Sequence, residues 1–232
     1  MANNVLKVNG IAIADIAKIN GQNDSDLVKL NGEEFTGVTD AHTLIGTPLN
    51  ISVSDTAVGE FDITSGIDDT YDVYEFHCIG IHPSGGSLPN FEFQVGTAAE
   101  SGWNRNITST YFQAQTNHTA DGAGNYAALG YSSGEHQKNS DQAFQKIAHG
   151  MGDENNDSAS VILKLYAPSS TTYVKHFTSV SQMNHHNNSI YSGNTYCSGY
   201  INTTAAITRI RFQFGVGNID AGKISMYGVA KS

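Results

Sequence analysis

From about residue 49 the chain alternates apolar and polar side chains with period two, and such runs predict strands. ISVS, YDVYEFHCIGI, FEFQV, YFQAQT, SVILKLY, TYVKHFTSV, ITRIRFQFGV and KISMYGVA all carry the pattern. In ITRIRFQFGV, Ile210, Phe212, Phe214 and Val216 fall on one face, and Arg209, Arg211 and Gln213 on the other. One face of that strand therefore belongs in a core, and the other meets water or an interface. Loops rich in glycine and asparagine, such as HPSGGSLPN, NHTADGAGN and HGMGDENNDS, separate the runs. Eight or more short strands joined in this way predict an all-β fold, a two-sheet β-sandwich of jelly-roll-like layout. Only SDQAFQKIAHG reads as a helix. Ser140 or Asp141 caps it, Ala143, Phe144, Ile147 and Ala148 form its apolar side, and Gly150 stops it.

A different pattern precedes this body. Lys-aliphatic-Asn-Gly recurs at Lys7, Lys18 and Lys29, a pitch of eleven residues. Each unit carries an aliphatic pair three apart: Val5 and Val8, Ile16 and Ile19, Leu27 and Leu30. Two structures use such a unit. One is a single capped helical turn, with Asp or Asn at the start and Gly in the left-handed closing position. The other is a hairpin turning on Asn-Gly. The capped turn is the favoured reading, because QNDSD after Gly21 does not look like a strand. Three small aliphatic pairs make no core, and single turns do not persist alone. Residues 1–36 are therefore expected to be a repetitive attachment segment, with those six aliphatic residues as its contacts. A connector at 37–48 and the β-sandwich at 49–232 follow.

Composition narrows the function classes. Of 232 residues only 15% are charged, and the net charge is −10. Such an acidic surface repels phosphate backbones and anionic membranes, so neither nucleic acid nor membrane is an expected partner. No apolar run approaches a membrane span of ~20 residues, and MANNVLKVNG lacks the features of a secretion signal. Cys78 and Cys197 sit in strand-like surroundings and read as small buried side chains.

Catalytic motifs are weak. GYSSG at 130–134 matches a nucleophile elbow with Ser132, but that elbow requires a strand-turn-helix in an α/β sheet. GNIDAGKI at 217–224 has phosphate-loop spacing, but it offers Ile224 where Ser or Thr must hold the metal. His185-His186, and Asp153, Glu154 and Asp157, read as exposed turns rather than metal sites. No enzyme activity, cofactor or metal is expected. Trp103, Tyr111, Tyr191 and Tyr196 stand out, because they lie among Asn, Ser, Gly and His. Aromatic plates beside amide hydrogen-bonders suit sugar rings, which makes these four the candidate glycan-binding residues.

The repeats, IADIAKINGQ above all, resemble N-terminal segments of structural proteins of tailed bacteriophages, especially those of marine and cyanobacterial hosts. YDVYEFHCIGIHP with FEFQV, and the ending ITRIRFQFGVGNIDAGKISMYGVA, resemble the β-sandwich domains of such virion proteins. The resemblance implies a structural particle component, often trimeric, assembled in the host cytoplasm and located in the virion. Its partners would be other virion proteins of the tail or capsid. No active site comes with it. A tail-associated fibre or adhesin is the first expectation, with the repeat as anchor and the sandwich facing a host surface glycan. A capsid decoration protein is the alternative, and a glycan-cleaving enzyme is a more remote one.

Overall fold

A computed structural model describes residues 42–86, 88–117, 138–185 and 191–229, together with six two-residue strands before residue 42. The chain divides into two units, Met1–Ala41 and His42–Ser232.

In the first unit β1 (Lys7–Val8) pairs with β2 (Ile11–Ala12), β3 (Lys18–Ile19) with β4 (Gln22–Asn23), and β5 (Lys29–Leu30) with β6 (Glu33–Glu34). All three pairs are antiparallel, with Val8 opposite Ile11, Ile19 opposite Gln22 and Leu30 opposite Glu33. Each register leaves two residues between the strands, and in the sequence those two are Asn-Gly. The repeat is thus a set of hairpins rather than the favoured capped turns. Asn-Gly suits the two-residue turn whose twist matches paired strands. A two-residue return strand is short enough for QN to serve. Of the predicted attachment residues, Val8, Ile19 and Leu30 end their strands, while Val5, Ile16 and Leu27 lie outside the described residues.

The second unit is all-β, with no helix among the described residues. Its strands are β7 (His42–Ile51), β8 (Glu60–Ile63), β9 (Val73–Pro83), β10 (Phe91–Thr97), β11 (Ile107–Asn117), β12 (Asn139–Asp141), β13 (Gln145–Ala148), β14 (Ala159–Tyr166), β15 (Lys175–His185), β16 (Tyr191–Ile201), β17 (Ile207–Phe214) and β18 (Ile219–Val229). They form an eight-stranded sheet, ordered β12-β11-β16-β15-β14-β9-β18-β7, and a four-stranded sheet, ordered β13-β10-β17-β8. Every pairing is antiparallel. Early strands pair with late ones in nested order: β8 and β10 with β17, β7 and β9 with β18, β11 with β16, and β14 with β15. This is the two-sheet, jelly-roll-like sandwich that the alternation predicts.

The inner faces meet through phenylalanines. Phe76 of the large sheet lies 5.6 Å from Phe212 of the small one, and Phe93 meets Phe177 edge to face at 5.1 Å. Phe91 stacks on Phe212 at 5.8 Å and tilts against Phe214 at 5.4 Å. All but Phe214 are almost fully buried, and Phe214 is 4% exposed. Val216, assigned by alternation to the same face, lies beyond the end of β17 and is 62% exposed.

Three expectations need correction. The anticipated connector becomes strand from His42, because β7 pairs with β18 from Val229 opposite His42 to Gly222 opposite Ile51. SDQAFQKIAHG forms no helix. Asp141 ends β12, and Gln145–Ala148 is β13, paired with β10 at the edge of the small sheet. Gln145, Ile147 and Ala148 are all buried, so tertiary pairing overrides local propensity. The stretch YSGNTYCSGYI, absent from the runs that alternation predicts as strands, is the eleven-residue strand β16. One backbone detail completes the large sheet. At the β9–β18 bulge Gly222 has φ 122°, and a Cβ there would approach the Gly80 carbonyl to 2.8 Å. Only glycine fits that crossing.

Cys78 and Cys197 are free and buried. Cys78 is on β9 and Cys197 on β16, with β14 and β15 between them. Three strand spacings put them about 14 Å apart, too far for a disulfide. Burial pushes the Cys197 thiol up to about 12 and the Cys78 thiol higher still. Neither thiol is therefore expected to react with a thiol reagent in the native protein, and two per chain are expected to react in denaturant. Fast native labelling would contradict this arrangement.

Candidate functional site

The four candidate glycan residues do not converge. Tyr111 is on β11 but points inward. It is 5% exposed, and its hydroxyl lies 3.1 Å from Thr195 Oγ1. A ring so enclosed offers no face to a sugar. Trp103 is half-buried in the loop before β11, on the outer side of the small sheet. The guanidinium carbons of Arg209 and Arg211 lie 4.7 and 4.9 Å from its ring centroid. Arg211 also grips Asp62 with two bonds of 2.6 Å, and Arg209 donates to the Gly102 carbonyl at 3.0 Å. Trp103 thus fastens its loop to the sheet through cation–π contacts. Tyr191 opens β16 and is half-buried. Only Tyr196 stands on an open face. Ser132 of GYSSG and His186 lie outside the described residues.

That open face is the outer side of the large sheet. Along β14, Ala159, Val161, Leu163 and Leu165 point inward, so Ser160, Ile162 and Lys164 point outward. The same alternation places Phe112, Tyr196 and Val180 outward on β11, β16 and β15. Register then sets them side by side: Phe112 opposite Tyr196, Tyr196 opposite Val180, and Val180 opposite Ile162. Ile79 of β9 joins them across the shallow depression it lines with Ile162 and Val180. The five are 43–58% exposed. Phe112 and Tyr196 stack with centroids 4.9 Å apart and planes 15° apart. Each ring turns one face to the other, so the pair presents edges more than a flat plate.

Polar rows flank this apolar one. On one side Thr110, Ser198 and Thr178 sit in register, followed by Thr108, Tyr200 and His176. They line a depression of about 380 Å³. On the other side Asn194, Gln182 and Ser160 border the second depression, of about 320 Å³. Hydroxyl and amide groups both donate and accept, which suits sugars and protein surfaces alike.

The ionic cluster of this face is at β9. Glu75 accepts from Lys164 Nζ at 2.7 Å and lies 3.0 Å from His77 Nε2 and 3.3 Å from His42 Nε2. Tyr227 packs against His77 at 4.9 Å. The Glu75 side chain is 8% exposed. Burial alone would raise its pKa, but hydrogen bonds with His77 and Lys164 and the charge of Lys164 outweigh it and hold the carboxyl below the usual range. Where β9 ends beside the start of β18, His82 holds Asp220 through Nδ1 at 2.6 Å and the Glu154 carbonyl through Nε2 at 3.0 Å, clasping the 151–158 loop. Asp157 staples that loop, accepting from Asn184 Nδ2 at 3.1 Å and from the Glu154 amide at 3.3 Å. Among the described residues no three acidic, histidine or cysteine side chains are disposed to hold a metal ion.

Sequence reasoning missed Phe112, Val180, Ile162 and Ile79. A signal existed. YF, VIL and CIGI place apolar residues at consecutive strand positions, which makes both faces apolar. No family model matches the chain, and no curated protein and no solved structure is significantly similar to it.

Two carboxyls titrate in opposite senses. Glu75 is depressed, so its stabilisation is present above the ordinary glutamate pKa and is lost as pH falls through the folded value. Glu75→Gln is expected to flatten the decline in unfolding free energy between about pH 5 and about pH 3. Glu92, on the outer side of the small sheet, is pushed up to about 6 by burial, only partly offset by Lys146 and Lys138. Its protonated form fits the fold, so stability falls as pH rises through that value. Glu92→Gln is expected to be more stable than the parent at pH 8 and equal to it at pH 4. Denaturant titrations across pH check both, and parallel profiles for variant and parent would contradict either assignment.

Proposed function

We propose that this chain is a structural component of a bacteriophage particle, working by surface contact and without chemistry of its own. The observation that supports the contact role is the in-register apolar row on the outer face of the large sheet, and the particle assignment rests on the resemblance of the repeats and strand sequences. A contiguous row of five half-exposed apolar side chains is the kind of surface that proteins use for contact. The two-unit division supports it too, because three equivalent hairpins ahead of a sandwich suit multivalent attachment of a display domain. The leading assignment is a tail-associated fibre or adhesin, anchored through its repeat. In that role the hydroxyl-lined depression beside Tyr200 and His176 would meet a host surface glycan.

A second reading, a capsid decoration protein, is favoured by the state of the aromatic rings. Phe112 and Tyr196 stack on each other, and Trp103 is engaged by two arginines. Aromatic surface committed in that way favours protein contacts over sugar stacking.

Immunogold labelling of purified particles with an antibody against residues 42–232 separates the readings. Label at the tail is expected for the fibre, and label over the head would transfer the assignment to decoration. Particles without label would overturn the structural role.

A further inference from the structure

We infer that the outer face of the large sheet is the interface at which two copies of this chain pack face to face, with Val180 close to a two-fold axis. The inference rests on the chemistry of the face alone, and it competes with the glycan contact proposed for the same face, because a partner copy would cover the depression beside Tyr200 and His176.

Charge identifies the occupant. The chain carries −10, so two copies repel over most of their surface. The outward positions of β11, β14, β15 and β16 hold one formal charge, Lys164, and Glu75 neutralises it at 2.7 Å. Here alone among the described faces is there a broad area where like-charged copies approach without penalty. A basic or acidic partner would find no charge to grip. The small sheet's outer face is different in kind, laced with Arg209, Arg211, Asp62 and Glu60.

Composition makes the face self-complementary. A two-fold interface uses one patch twice, so each polar group must meet groups like itself. The flanking serine, threonine, asparagine and glutamine side chains each donate and accept, and thus pair with copies of themselves. The apolar row supplies what those pairs lack. Phe112, Tyr196, Val180, Ile162 and Ile79 span about 19 Å over five strands, with Val180 third of the five. The five strands that carry the row, about eight residues long, give roughly 600 Å² in plan, the same order as the ~800 Å² that each partner buries in a stable complex. Two twisted sheets packed by their outer sides repeat the geometry that the sandwich uses inside.

Sedimentation equilibrium of the full chain at micromolar concentration tests the inference, alongside Val180→Lys and Val180→Cys. The parent is expected to have twice the chain mass. Val180→Lys is expected to halve that mass while leaving the thermal unfolding curve in place, because position 180 points out of the sandwich. Val180→Cys is expected to form a disulfide-linked dimer under mild oxidation, with Cys78 and Cys197 sealed at 0% and 2% exposure. A parent that is monomeric or trimeric overturns the inference. So does a dimer that survives Val180→Lys, and so does one that this lysine breaks but the cysteine fails to lock, since the axis would then lie elsewhere.

Discussion

The sandwich depends on phenylalanine meeting phenylalanine across the gap between its sheets. Phe76 and Phe177 project from the large sheet onto Phe212 and Phe93 of the small one. Aromatic side chains bury more area per residue than any others, so few contacts suffice to hold two sheets together. Once these rings face inward, strand alternation fixes the direction of every neighbour. The outward residues of the large sheet, including Tyr196 and Val180, are placed by the same registers that place the core. The surface features are therefore consequences of the core, and a one-residue slip of any strand would exchange the two.

Much of this is legible in the sequence. ITRIRFQFGV and SVILKLY each encode an inward face, and both are strands. Legibility failed where small or polar residues, Gly, Ser, Thr and Asn, occupied inward as well as outward positions. YSGNTYCSGYI looks like loop because its inward residues, Gly193, Thr195 and Cys197, are small. It is a strand because Phe112 and Val180 flank its Tyr196 on either side. SDQAFQKIAHG failed for the opposite reason. Its local pattern fits a helix well, but Gln145 and Ile147 are needed under the large sheet and beside β10. The hairpins of the repeat turned on chemistry already visible, Asn-Gly, outweighed wrongly by the objection that QNDSD does not look like a strand.

The candidate site was less legible, and for a physical reason. Its residues come from β9, β11, β14, β15 and β16, and only register brings them into one row. Sequence fixes which face a residue occupies but not its height along the sheet. Aromatic residues in polar surroundings proved a poor guide, because Tyr111 is a core residue and Trp103 a fastening. Apolar residues at both parities of a strand are the better signal, since a single core cannot use both faces.

The nested pairing has a consequence for how the chain comes to be folded. Ile63 of β8 finds its partner in Ile210 of β17, and Leu44 of β7 finds its partner in Tyr227 of β18. Neither half of the sandwich can close before the last strands have left the ribosome. Folding must then proceed through long loop closures, the regime of slow, high-contact-order β proteins. During synthesis β9 and β10 wait with Phe76, Phe91 and Phe93 uncovered, the condition in which β chains aggregate. The interval between making β9 and β10 and covering them with β17 and β18 is therefore the vulnerable part of this chain's life, and it lengthens with every residue that separates the partners.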